Sequence, residues 1–259
     1  MTGIWPGPQA QNHAQRRQQI DRIVTALRRA HGDAIYAVAL YGSMGRDADG
    51  PYSDIELWAA LTTPGMDDSA EWVYGPGKAE VNLLGLDVLW EQARTVAAKW
   101  ALEQGQFVHL RPLYGDAAFF AELRQTVLTP DPATVNDVVA EMVVGECYEW
   151  IGKVRNARER NDPRDIPALA LMFAEHVACM AGLLHCTVFA GGPLLHASAA
   201  LPDLPAGYLD LARRVETGDL ADPHACAAAI ENLWAGLEPW LARHAVDLTP
   251  RTRWPWPAS

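Results

Sequence analysis

The chain has 259 residues, 49% hydrophobic and 20% charged, an ordinary globular balance with length for one large domain or two small ones. Its 21 basic and 32 acidic residues leave a net charge of −11, which argues against nucleic acid as the main partner because phosphate neutralisation needs a basic surface; a cationic small substrate is compatible with it, and so is plain solubility. No apolar run is expected to reach the roughly 18 residues of a membrane span, the polar start from Met1 to Gln11 does not read as a signal peptide, and Cys147, Cys179, Cys186 and Cys226, without a CxxC pair, read as free thiols of a reducing cytoplasm.

Ile20, Ile23, Val24 and Leu27 are spaced i, i+3, i+4, i+7 and predict a helix over 13–31, stopped by Gly32. Ile35 to Tyr41 is a short β-branched and aromatic run, a strand. Gly42 to Gly50 follows as a loop with a helical turn after Ser43. Asp54 to Leu61 predicts a second strand and Ala79 to Leu86 a third, with Val81 and Leu83 on one face and Glu80 and Asn82 on the other. Asp87 is expected to cap a helix reaching Lys99. A strand over Phe107 to Leu113 and a helix over Asp116 to Val127 complete the first half.

The break Thr129-Pro130-Asp131-Pro132 divides the chain into residues 1–128 and 129–259. Beyond it only helices are expected. One runs from Thr134 to Glu159, an almost continuously apolar one from Leu169 to Phe189 at a bundle centre, and two more over 206–217 and 223–245. The tail Trp254-Pro255-Trp256-Pro257 is expected to pack on the surface or on a partner. The predicted class is α+β: an N-terminal domain with a mixed β-sheet flanked by helices, then a C-terminal helical bundle.

Chemistry concentrates in Tyr-Gly-Ser-Met-Gly-Arg-Asp-Ala-Asp-Gly-Pro-Tyr-Ser-Asp-Ile-Glu, residues 41–56. Asp54 and Glu56 stand at i and i+2 of a strand, so both carboxylates leave one face and can share a divalent cation. Mg²⁺ suits one or two carboxylates plus phosphate oxygens. The Gly42-Ser43 turn brings backbone N–H groups toward a phosphate, Ser43 adds a hydroxyl, and Arg46 reaches the same phosphates or the departing pyrophosphate. The bland alternatives are solvated strand acids, a tight turn, and an Arg46 ion pair with Asp47 or Asp49. The loop lacks the lysine and spacing of a P-loop. Glu149 and Lys153 read, by spacing alone, as a surface i,i+4 pair. His176, beside Glu175 and Cys179, reads as a satisfied core histidine.

The GSMGR and GPYSDIE segments resemble the glycine-serine and acid-x-acid motif of the polymerase-β-like nucleotidyltransferases. Within that superfamily the chain is similar to the kanamycin nucleotidyltransferase group, the aminoglycoside 4′-O-nucleotidyltransferases. Further matches run in order through Glu71-Trp72, Lys78-Ala79-Glu80-Val81-Asn82, Gly105-Gln106-Phe107, Glu149-Trp150-Ile151-Gly152-Lys153 with Arg155-Asn156, and Leu204-Pro205-Ala206-Gly207-Tyr208. The resemblance implies AMP transfer from ATP to the 4′-hydroxyl of an aminoglycoside of the kanamycin, tobramycin or amikacin type, with release of pyrophosphate. It makes Asp54 and Glu56 the Mg²⁺ ligands, Gly42, Ser43, Arg46 and Lys153 the triphosphate contacts, and Glu149 the base. Glu71, Lys78, Glu80 and Glu146 fall at the antibiotic pocket; Glu80 is alternatively a third metal-side carboxylate. Gly145 stands where the family has a further glutamate, and residues 62–70 match poorly. The resemblance also implies a homodimer. Two other readings share the nucleotide motif: a transferase acting on a protein, and a non-catalytic nucleotide-binding module.

Overall fold

The structure, a computed structural model, describes residues 7–248; the tryptophan-proline tail lies outside the described residues. Two compact units are present. Among the described residues, the first comprises 7–95, Trp100–Pro130 and Val188–Gly192; the second comprises Val96–Lys99, Asp131–Thr187 and 193–248.

In the first unit, α1 (His13–His31) is opened by an Asn12–Gln15 capping box, which satisfies two otherwise unpaired backbone donors. A 3₁₀ turn at Gly32–Ala34 leads into β1 (Ile35–Leu40), and α2 (Gly42–Gly45) is a single helical turn. Then come β2 (Ile55–Leu61), β3 (Asp67–Val73), β4 (Lys78–Gly85), α3 (Leu86–Arg94), α4 (Trp100–Glu103), α5 (Gly105–Val108), β5 (Arg111–Tyr114) and α6 (Ala117–Leu128). Among the described residues the sheet has five strands in the order β3-β4-β2-β1-β5, parallel only between β2 and β4. Alternation along β2 divides the two layers. Ile55, Leu57, Ala59 and Leu61 pack with Ile20 and Ile23 of α1. Trp58 faces the other way, beside Phe107 of α5 and Phe120 of α6, and donates its indole N–H to the Gln106 carbonyl at 3.0 Å.

Several expectations are corrected here. β3 is a strand the pattern did not predict: it is an exposed edge, rich in acids, with no buried stripe to produce alternation. Phe107 is helical, not extended, and is buried against Trp58; β5 begins only at Arg111. Pro112 sits inside β5, where an edge strand tolerates a residue without a ladder donor, and the strand ends at Tyr114, before the Gly115 turn. The cap of α3 is Gly85, and α3 stops at Arg94. The Asp87 carboxylate instead accepts from the Gly65 N–H at 2.9 Å, tying down the β2–β3 connection.

The second unit contains α7 (Pro132–Met142), a π-helical turn at Val143–Cys147, α8 (Tyr148–Glu159), α9 (Ile166–Leu184), α10 (Leu194–Ser198), α11 (Tyr208–Thr217) and α12 (Pro223–Arg243). The helix expected over Thr134–Glu159 is therefore interrupted by a π turn at Gly145 and Glu146. Such turns insert one extra residue and recur at functional sites. α9 packs against α7, α8, α10, α11 and α12 as the core of the bundle. Contrary to the expectation of no membrane-length run, α9 is 19 residues long and apolar enough to cross a bilayer; 67% of that stretch is buried within the protein, which accounts for its composition. Arg155 of α8 clips Glu231 of α12 through two hydrogen bonds of 3.0 and 2.9 Å. Cys147, Cys179 and Cys226 are buried and Cys186 is exposed, and none of the four is in a disulfide.

Candidate active site

The glycine-serine turn sits at the C-terminal end of β1. Tyr41 still belongs to the ladder, donating its N–H to the Glu56 carbonyl at 2.9 Å. Gly42 then turns with φ +62°, and a Cβ there would land on the Glu56 carboxylate. Gly42 is thus required by its backbone angle and by the acid it lies against. Ser43 follows within α2, and the Arg46 guanidinium reaches back to the Gly42 carbonyl at 2.9 Å. Neither acid proposed as an ordinary partner for Arg46 pairs with it: Asp47 pairs with Arg111, and Asp49 with Arg16 and His13.

Arg16, which the sequence pattern did not single out, is 2% exposed beneath this loop. It pairs with Asp49 and donates to the carbonyls of Gln11 at 2.8 Å and Pro51 at 3.2 Å. Burial would raise the Asp49 carboxyl, but the hydrogen bonds from Arg16 and then His13 outweigh it and hold the group below its ordinary value. The pair's contribution is therefore present above the ordinary aspartate value and is lost as pH falls through the lowered one. Arg16→Met strands a buried carboxylate. It is expected to destabilise the first unit by about 3–5 kcal/mol, read by urea denaturation, with Asp49→Asn in the same chain recovering part of the loss.

Asp54 immediately precedes β2, and Glu56 lies within it. Strand register gathers the other acids: Glu56 is the direct partner of Glu80 on β4, and Glu80 that of Glu71 on β3. Direct partners share a face of the sheet, so Glu56, Glu80 and Glu71 form a row across three strands, about 4.8 Å apart from strand to strand. Lys78 bridges part of this row, paired with Glu71 and 4.0 Å from Asp54; these charges raise its pKa, the Glu71 hydrogen bond foremost. A cleft of about 590 Å³ opens over Gly42, Ser43, Arg46, Asp54, Glu56 and Glu80. Burial, then the charge of Asp54, then that of Glu80 push the Glu56 carboxyl above its ordinary value, against weaker pulls from Lys78 and Arg46. The oxygen donor set of Asp54, Glu56 and Glu80 fits Mg²⁺. Among the described residues no three His, Cys, Asp or Glu side chains close into a complete cage. Mg²⁺ does not require one, since substrate phosphates complete its shell.

The remaining predicted residues lie on the second unit. Glu149 and Lys153 face each other on exposed α8 at 2.6 Å. Glu146, within the π turn, has its carboxylate 3.3 Å from Nε2 of His176, which also lies 3.3 Å from the Met142 carbonyl. Both neighbours are acceptors, so Nε2 carries the proton. Burial lowers the His176 pKa, opposed by Glu146. His176 is indeed a partnered histidine, but its partner is a predicted pocket acid, a pairing that helical spacing gave no means of foreseeing.

A mixed sheet bearing a glycine-serine turn beside an acid-x-acid strand is the arrangement that the resemblance to nucleotidyltransferases implies, and the fold is similar to that of a nucleotidyltransferase-like protein from Exiguobacterium sibiricum (TM-score 0.51, 12% identity, 88% of this chain and 75% of that one). The model of the KNTase C-terminal domain family matches residues 117–247. Proteins from Staphylococcus aureus and a Bacillus species, each named aminoglycoside nucleotidyltransferase (4′), are 32% identical over 248 residues, 95% of this chain and 98% of theirs. The chain belongs to this family of nucleotidyltransferases, whose members generally use divalent metal ions.

Proposed function

We propose that the protein transfers AMP from ATP to the 4′-hydroxyl of kanamycin-, tobramycin- or amikacin-type aminoglycosides and so confers resistance to them. The observation that carries this reading is the acidic row, Glu56, Glu80 and Glu71 with Asp54, set beside the Gly42-Ser43 turn. One end suits a metal-bound triphosphate, and the acids beyond it suit a polycation.

In this reading Asp54 and Glu56 hold Mg²⁺, with Glu80 alongside; when bound, the ion neutralises charge on the triphosphate. Ser43 offers its N–H and hydroxyl to the phosphates. Arg46 and Lys153 steady the charge that builds on the departing pyrophosphate. Glu149 takes the proton of the 4′-hydroxyl as its oxygen bonds to the α-phosphorus and the bond to pyrophosphate breaks. Glu71, Lys78 and Glu146 contact the drug. The work is positioning and charge neutralisation, with one base. The proposal includes a homodimer acting in the cytoplasm, the first part of which sedimentation at assay concentration reads directly.

The test is pyrophosphate release from ATP and Mg²⁺ with each of the three drugs, followed by mass spectrometry and NMR of the product. The expected product carries one AMP on the 4′-oxygen. A folded sample that releases no pyrophosphate with any 4′-hydroxyl aminoglycoside would sink the proposal. Labelling of a protein band by radioactive ATP, without a drug product, would replace it with a protein-modifying transferase.

A further inference from the structure

Beside the acidic row, three side chains close into a triangle. The Tyr41 hydroxyl donates to Oε1 of Glu80 at 3.1 Å. The Asn82 amide donates to the Tyr41 oxygen at 3.0 Å and to the same Oε1 of Glu80 at 3.1 Å. The donor count is closed. A carboxylate only accepts, so the Asn82 nitrogen and the tyrosine hydrogen must both point toward it, and the phenol oxygen is left to accept the second amide hydrogen.

Tyr41 is 9% exposed. Its backbone is also committed: the N–H to Glu56, and the carbonyl to the Gly45 N–H at 3.0 Å, closing α2. One residue therefore touches Glu56 through its main chain, Glu80 through its hydroxyl, and the glycine-serine turn through the next peptide bond.

We propose that Tyr41 and Asn82 are positioning residues that lock one oxygen of Glu80 and thereby present the other to a nucleotide-bound divalent cation, binding the turn and the carboxylate row into one rigid receptor. The inference deepens the proposed adenylyl transfer and rests on it. Neither side chain meets the reacting atoms. Both act through Glu80, as outer partners orient the ligands of a metal.

The experiment titrates Mn²⁺ into the full-length protein with α,β-methylene-ATP, which cannot turn over, and follows free Mn²⁺ by electron paramagnetic resonance. Tyr41→Phe keeps the ring and loses only the hydroxyl. It is expected to weaken Mn²⁺ binding by about 10–100-fold with the thermal midpoint nearly unchanged. Asn82→Ala, which disturbs no ring, is expected to do the same, and serves if Tyr41→Phe does not fold. The double variant is expected to be little worse than either single one, because both donors serve one oxygen. Wild-type Mn²⁺ affinity in Tyr41→Phe or, should that variant not fold, in Asn82→Ala would overturn the inference while leaving the adenylyl-transfer reading intact. A wild-type protein that binds no Mn²⁺–nucleotide would overturn both.

Discussion

Glutamine in place of Glu56 is expected to lower nucleotidyl transfer by at least about 10³-fold, the several kcal/mol that a metal's charge supplies in such reactions, while raising the thermal midpoint. The two effects share a cause. Burial and the neighbouring Asp54 and Glu80 push the Glu56 carboxyl above its ordinary value, so the folded state holds that proton more tightly than the unfolded chain does. Stability is then greatest below the ordinary glutamate value. It declines as pH rises through the window up to the raised one, above which the ionised group works against folding. Glutamine keeps the shape and removes the charge. Calorimetry at neutral pH without metal should show the variant melting higher than wild type, with the gap closing toward pH 4. Activity measured with saturating Mg²⁺ and ATP should be nearly absent. A variant with normal turnover, or one that melts lower at neutral pH, contradicts this account of the carboxylate row.

The second large effect is expected at Glu149. If it is the base, Glu149→Gln lowers kcat by about 10²–10⁴-fold at saturating ATP and drug and leaves both KM values close to wild type. If Glu149 is only the partner of Lys153 at 2.6 Å, the pair is worth a few tenths of a kcal/mol and its loss would pass unnoticed in kcat. The two outcomes are orders of magnitude apart, so one well-saturated turnover measurement decides. Retention of near-normal kcat removes Glu149 from the mechanism.

What could be read from residues alone follows from how each kind of information is stored. α1 and β4 were legible because each buries a periodic stripe, and β1 and β2 because each is a short, almost wholly buried apolar run. The site motif was legible because Asp54 and Glu56 are two apart and Gly42-Ser43 is a short loop away, so local geometry carries most of it. β3 was not, since an edge strand of exposed acids owes its place to pairing with β4 rather than to any pattern of its own. Phe107 looked like strand because it is aromatic and apolar, yet its burial against Trp58 within a helical turn decided otherwise. Arg16 was illegible for a related reason: two of its partners, Asp49 and Pro51, lie more than thirty residues away, and nothing on α1 announces them. The row of Glu56, Glu80 and Glu71 is likewise a fact of register between strands. Glu56 was named by its spacing from Asp54, and Glu80 and Glu71 by resemblance, but only the sheet sets them side by side.

The π turn between α7 and α8 makes this helical stretch tolerant of a length change at one place. In a regular helix one residue corresponds to about 100° of rotation, so a deleted residue swings everything beyond it. At Val143–Cys147 the wider winding already holds one extra residue. A single-residue deletion there would restore regular winding and leave Glu149 and Lys153 at nearly the same azimuth relative to Val135 and Val139.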